Sequence, residues 1–164
     1  MPDPMPVNRK VLFDILAILG IVLVAVVGYK LSPLLLPKAD VSATVEPGCD
    51  LHKRACVARL PDGGRIELSI TPRPIPMITP LLVEVKTTGI EASKVEVDFA
   101  GVDMNMGYNR PELTGAGAAS PGLFRAEAML PVCVTGKMAW AATVLVETGR
   151  ERIAAPFRFN SVPD

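Results

Sequence analysis

The sequence predicts an all-β domain, an immunoglobulin-like antiparallel β-sandwich, carried behind one amino-terminal transmembrane helix. Three observations predict it. The stretch from Val11 to Tyr29 carries a single charge, Asp14. Short β-type runs then recur at intervals of roughly ten residues from Val41 onward. No amphipathic helical period interrupts them.

At about 1.5 Å rise per residue, a helix over residues 11–29 crosses the hydrocarbon of a bilayer. The chain's mean hydropathy of +0.35 is high for a soluble protein, and much of the excess lies in this amino-terminal part. Arg9 and Lys10 precede the apolar run as they would in a secretory signal. The nearest small-residue cleavage pattern, Val41-Ser42-Ala43, comes well beyond Gly28, with Pro33 and Pro37 between. A retained single-pass anchor is therefore expected, with residues 1–10 as a cytoplasmic tail and 30–40 as an extended linker. Lys and Arg counts on the two flanks are balanced, so the positive-inside rule does not fix orientation.

Cysteine usage supplies the orientation. Three cysteines allow three single pairings, and Cys49 with Cys56 has the spacing of a small disulfide loop. Disulfides persist outside the cytoplasm, which places the amino terminus inside and residues 41–164 outside. Cys133 is then left as an odd thiol. His52, the one histidine, lies inside the disulfide loop and reads as a loop residue ahead of a metal ligand.

Within the domain the expected strands are 41–46, 56–60, 65–70, 81–87, 94–100, 123–130, 138–147 and 152–160. Pro61-Asp62-Gly63-Gly64 reads as a hairpin turn in which glycine supplies positive φ. Residues 71–80 contain four prolines, each without a ladder donor, and are expected to form a stiff connection between the two sheets. A polyproline ligand is the other reading of that run. Trp140 and Val144 are expected in the core.

From Asp40 to Asp164 there are 13 Lys and Arg against 15 Asp and Glu, a net charge of −2 with His52 neutral. That balance offers no grip on phosphates, and eight aromatic residues supply few stacking platforms. Nucleic acid is excluded as the expected partner. With one histidine, no Ser-His-Asp or Cys-His pairing, no zinc spacing and no phosphate-cradling glycine loop, the chain is not expected to be an enzyme.

The chemistry lies in sulfur. Alternation in Lys94-Val95-Glu96-Val97-Asp98-Phe99 turns Val95, Val97 and Phe99 inward. An unbroken continuation gives Met104 and Met106 the outward parity. Neutral thioether sulfur suits Cu(I), so Met104, Met106, Cys133 and Met138 are the candidate ligands and copper the expected cofactor. The opposing reading is a glycine bulge that flips the parity and makes the methionines adaptable core filler, with Cys133 a buried small hydrophobe. Geometry divides the readings further. If residues 101–121 merely turn at one end of the sandwich, Met104 and Cys133 lie at opposite ends, whereas a crossover brings the sulfurs to one edge.

A single amino-terminal membrane segment, a β-sandwich, Met104-Asn105-Met106-Gly107, Gly122-Leu123-Phe124-Arg125-Ala126 and Gly136-Lys137-Met138-Ala139-Trp140 together resemble the FixH/YtkA-like family. The resemblance implies a periplasmic, membrane-anchored accessory domain connected with copper handling or respiratory oxidase assembly, its motif falling on Met104 and Met106. The Cys49 and Cys56 pair and Pro131-Val132-Cys133 depart from that pattern. The competing function is a metal-free interaction module that docks a sandwich edge or the Pro-rich run onto a membrane complex.

Overall fold

The computed structural model describes residues 9–35, 39–104, 107–131 and 138–161, the side chains of 30–35 excepted. The chain divides into two compact units, Met1–Lys38 and Ala39–Asp164.

In the first unit α1 runs from Arg9 to Leu35. The 21 residues from Arg9 to Tyr29 are long and apolar enough to cross a membrane, and none of that span is buried within the protein. The helix continues past Tyr29, so the expected extended linker is helical over its first six residues, 30–35. Lys30 interrupts the apolar run, which resumes with Leu31, Leu34 and Leu35, and the helix carries on across it. Pro33 removes only one donor, in the last turn.

The second unit is built from ten strands. They are β1 (Val41–Ser42), β2 (Thr44–Val45), β3 (Cys56–Arg59), β4 (Arg65–Thr71), β5 (Leu81–Thr88), β6 (Lys94–Gly101), β7 (Glu112–Gly115), β8 (Leu123–Ala128), β9 (Ala139–Glu147) and β10 (Arg152–Asn160). Their order is β1-β10-β9-β6-β7-β8-β5-β4-β3-β2. All pairs are antiparallel except β1 with β10.

The two halves expected to stack as separate sheets are joined at both edges, which makes the sheet barrel-like. One seam is β7, whose Glu112 and Leu113 pair with β6 while Thr114 and Gly115 pair with β8. The other lies at Ala43, where the chain leaves β10 for β3. Asp40 and Ala43 donate to the carbonyls of Arg152 and Ala154. The next donor position facing that way on β10 is Pro156, which has none to offer. The chain departs where the ladder has no further donor.

Alternation fills the interior. Val95, Val97 and Phe99 of β6 and Trp140, Ala142, Val144 and Val146 of β9 are fully buried, as expected for strands with one face in the core. The β3–β4 hairpin turns through Gly63 at φ 92°, and the Gly64 N–H donates to Asp62 Oδ1 at 3.0 Å.

The Pro-rich run behaves differently from its expectation. It joins β4 to β5, which are antiparallel neighbours, and so does not pass between the two halves. Proline excludes the ladder but does not dictate where the excluded chain goes. Here it loops out and tucks Ile75 and Met77 into buried positions. The Thr71-Pro72 and Arg73-Pro74 bonds are cis.

Candidate functional site

Strand polarity sorts the connections of the β-domain into two ends. Gly101 of β6 lies opposite Trp140 of β9, and Phe159 of β10 opposite Trp140 on the other side. Residues just after 101, just before 140 and just after 159 therefore share one end. Leu81 pairs with Ala128, and the Ile78 N–H donates to the Leu130 carbonyl at 3.0 Å, which adds the Pro-rich run and the start of the β8–β9 connection. The Asn109 side chain donates to the Met129 carbonyl at 2.9 Å and draws in the stretch leading to β7.

This end gathers sulfur. Met77, Met104, Met129 and Met138 all lie here, and they differ in access: Met104 and Met129 are exposed, while Met77 and Met138 are buried. β6 ends at Gly101, and Val102, Asp103 and Met104 are all exposed in succession, so the alternation assumed for an unbroken strand does not reach Met104, which is 41% exposed. Its segment returns toward Met138, because the Val102 N–H donates to the Ala139 carbonyl at 2.9 Å. Met104 and Met138 thus lie at the same end. Met138 is held from both sides of its backbone, its N–H on Ser161 Oγ at 3.3 Å and its carbonyl accepting the Ser161 N–H at 2.9 Å. Met106 and Cys133 lie outside the described residues.

Met77 and Met129 were not among the ligands expected from sequence. A signal for them exists: apart from Met1 and Met5, every methionine in the chain falls in one of the three connections that meet at this end.

His52 lies at the same end and its ring is fully engaged. Nδ1 accepts the Ile75 N–H at 3.1 Å, and Nε2 lies 2.6 Å from the Asn160 carbonyl, to which it donates. These partners assign the Nε2–H tautomer and leave no lone pair for a metal. Among the described residues, no group of three or more His, Cys, Asp or Glu is placed to hold an ion.

The disulfide loop borders the end. Cys49 and Cys56 are bonded, with Cα atoms 5.7 Å apart, and Cys56 is buried. Beyond the loop, Tyr108 is 80% exposed and lies under the Arg110 guanidinium at 5.4 Å. Arg110 is itself anchored on Asp98 at 3.2 Å, and that hydrogen bond raises its pKa further above the ordinary range.

The opposite end is charged. A concavity there is lined by Asp62, Glu91, Arg150 and Glu151 among others, and the chain enters the domain beside it, where Asp40 meets Arg152. Protein-family models, curated proteins and solved structures give no match to this chain.

Proposed function

We propose that this protein is a membrane-anchored accessory protein whose β-domain binds Cu(I) through sulfur at one end. In this reading Met104, Met106 and Cys133 form the ligand set and Met138 closes it from the core side. The observation that supports the proposal most is the exposure of Met104, two residues beyond Val102, whose N–H bonds to the carbonyl of Ala139 next to Met138. A large apolar side chain normally gains about 1.5–3 kcal/mol by burial, so thioethers left at a surface call for a use.

The chemistry follows from the donors. Thioether sulfur is soft and neutral, so Met104 and Met106 bind without releasing a proton, whereas Cys133 must lose one. A site of this kind keeps Cu(I) bound and lets an incoming thiolate or imidazole displace one thioether at a time. That behaviour serves metal handover. With the FixH/YtkA resemblance, it makes copper handling or respiratory oxidase assembly the proposed setting, with the anchor in the inner membrane, the amino terminus inside and the domain in the periplasm.

The immunoglobulin-like reading of the sandwich is proposed alongside. It is supported by β5 pairing with β8 in one half while β6, β9 and β10 lie in the other, so that the chain crosses between halves after β5 and again after β8.

The test is an anaerobic Cu(I) titration of the full chain in detergent against a chromophoric chelator. Wild type is expected to bind at defined stoichiometry. Met104→Leu with Met106→Leu, which preserves volume and removes sulfur, is expected to weaken uptake at least tenfold. Equal uptake by both proteins rejects the site. The metal-free docking module is then the surviving reading, and it is favoured in its own right by the exposed apolar residues Ile78, Val102, Tyr108 and Met129 at this end.

A further inference from the structure

We propose that His52 is a proton-operated latch: in acid its ring stays on β10 and lets go of residues 74–77 of the Pro-rich run, which uncovers Ile75 and Met77. The proposal is independent of copper.

The run hangs on few ties. Four of residues 71–80 are proline and offer no main-chain donor. On one side the Arg73 guanidinium donates to Ser69 Oγ at 2.8 Å and to the Ile70 carbonyl at 3.1 Å. On the other the Ile78 N–H donates to the Leu130 carbonyl at 3.0 Å. Midway between them the Ile75 N–H, set between Pro74 and Pro76, donates to His52 Nδ1 at 3.1 Å. Ile75 and Met77 are the buried side chains of this stretch.

The two ring nitrogens respond to a proton in opposite ways. Nε2 already donates to the Asn160 carbonyl at 2.6 Å, and a positive charge on the ring strengthens that bond. Nδ1 is an acceptor, and once protonated it sets a donor against the Ile75 donor. Turning the ring over does not restore the contact, because a ring carbon then faces the Ile75 N–H. That N–H is left without its partner in a buried position, where an unmade hydrogen bond is costly. Phe159 meets the imidazole edge-on, with centroids 6.2 Å apart, and supports the ring on the β10 side. The proton therefore acts on the bond to the run and spares the bond to β10.

Imidazole is also the group that changes charge in the relevant range. The charged residues within three positions of these contacts are Asp50, Lys53 and Arg54 in the disulfide loop, Arg73 in the run and Arg158 on β10. Asp50 is held by the His52 N–H at 3.0 Å and by Lys53 at 3.2 Å, and Arg54 lies 3.5 Å from Glu46. Carboxylates titrate near about pH 4 and Lys and Arg above about pH 10, whereas imidazole takes up its proton between about pH 5 and 8. The latch is closed above that window and open below it.

Two measurements on the full chain in detergent test the proposal. By NMR hydrogen exchange, the protection factor of the Ile75 amide is expected to fall at least about tenfold between about pH 7.5 and about pH 5, while that of Val97, bonded to the Pro111 carbonyl, holds and the Asn160 carbonyl shift keeps its hydrogen-bonded value. His52→Asn puts an amide oxygen in the place of Nδ1, an acceptor that does not titrate, and is expected to abolish the pH response. Asp50→Asn is expected to keep it. Over the same range, dilute hydrogen peroxide is expected to convert Met77 to its sulfoxide at least about fivefold faster at the acid end, measured against the exposed Met129, with the peroxide reduced to water. An Ile75 amide indifferent to pH, a response that survives in His52→Asn, loss of the Asn160 bond together with that of Ile75, or Met77 equally protected at both pH values overturns the proposal.

Discussion

The imidazole Nδ1 of His52 accepts the backbone N–H of Ile75 at 3.1 Å, across 23 residues of sequence. With Nε2 on the Asn160 carbonyl, one ring joins the disulfide loop, the Pro-rich run and the end of β10. Ile75 is fully buried, so its N–H has no water to fall back on. His52→Leu removes both bonds and leaves that donor orphaned. A loss of about 1–3 kcal/mol is expected in denaturant unfolding of the β-domain. An unchanged midpoint would show that the ring is not the staple described.

Gly122 is expected to be the least replaceable of the described glycines in the domain. Its φ is 76°, and a Cβ added there would stand 2.5 Å from the Thr87 carbonyl oxygen. The Thr87 N–H also donates to the Gly122 carbonyl at 2.7 Å, so neither strand can withdraw without breaking that bond. Gly117 shares the positive φ, at 88°, but faces open space. Gly122→Ala is therefore expected to cost about 2–4 kcal/mol and Gly117→Ala about 1 kcal/mol. Equal melting temperatures for the two variants would refute the contrast.

These two sites also show what was legible in the sequence. The strand 94–101 could be read because one face is buried and Val95, Val97 and Phe99 keep a period of two. β7 could not: only Leu113 among its four residues points inward, and the strand exists because two halves of the sheet meet there. The route of residues 72–80 was misread for a related reason. Prolines declare missing donors locally, while the placement of Ile75 depends on His52, a partner far away in sequence. The exposure of Met104 does not come from parity, because β6 ends at Gly101 and the three residues 102–104 are all exposed. The gathering of Met77 and Met129 at the same end depends on loops from different strand pairs, and that is information carried by topology.

Asp50 is expected to make the disulfide loop sensitive to acid. The His52 N–H donates to Asp50 Oδ1 at 3.0 Å and Lys53 Nζ lies 3.2 Å from Oδ2. The main-chain hydrogen bond first, and Lys53 second, hold the carboxyl below its ordinary range. A lowered carboxylate contributes stability that is present above the unfolded-state value, near about 4, and lost as pH falls through the folded value. The wild-type unfolding midpoint is expected to drop more steeply below about pH 4 than that of Asp50→Asn. Parallel acid limbs would remove Asp50 from the account.

Cys49 and Cys56 give a joint test of stability and topology. They close a loop across seven positions of sequence, and loop-closure entropy assigns such a ring about 2.5 kcal/mol. Cys56 is buried in the core, so Cys49→Ser with Cys56→Ala is the pair that avoids stranding a hydroxyl there. That variant is expected to lose roughly 2–3 kcal/mol in unfolding. In cells, a domain on the oxidising side of the membrane should carry the bridge and keep Cys133 as its one thiol. Mass spectrometry after alkylation without reductant then reads a single modified cysteine on the full chain. Three alkylated cysteines in freshly lysed cells would place the domain in a reducing compartment and remove both the orientation and the periplasmic copper site built upon it.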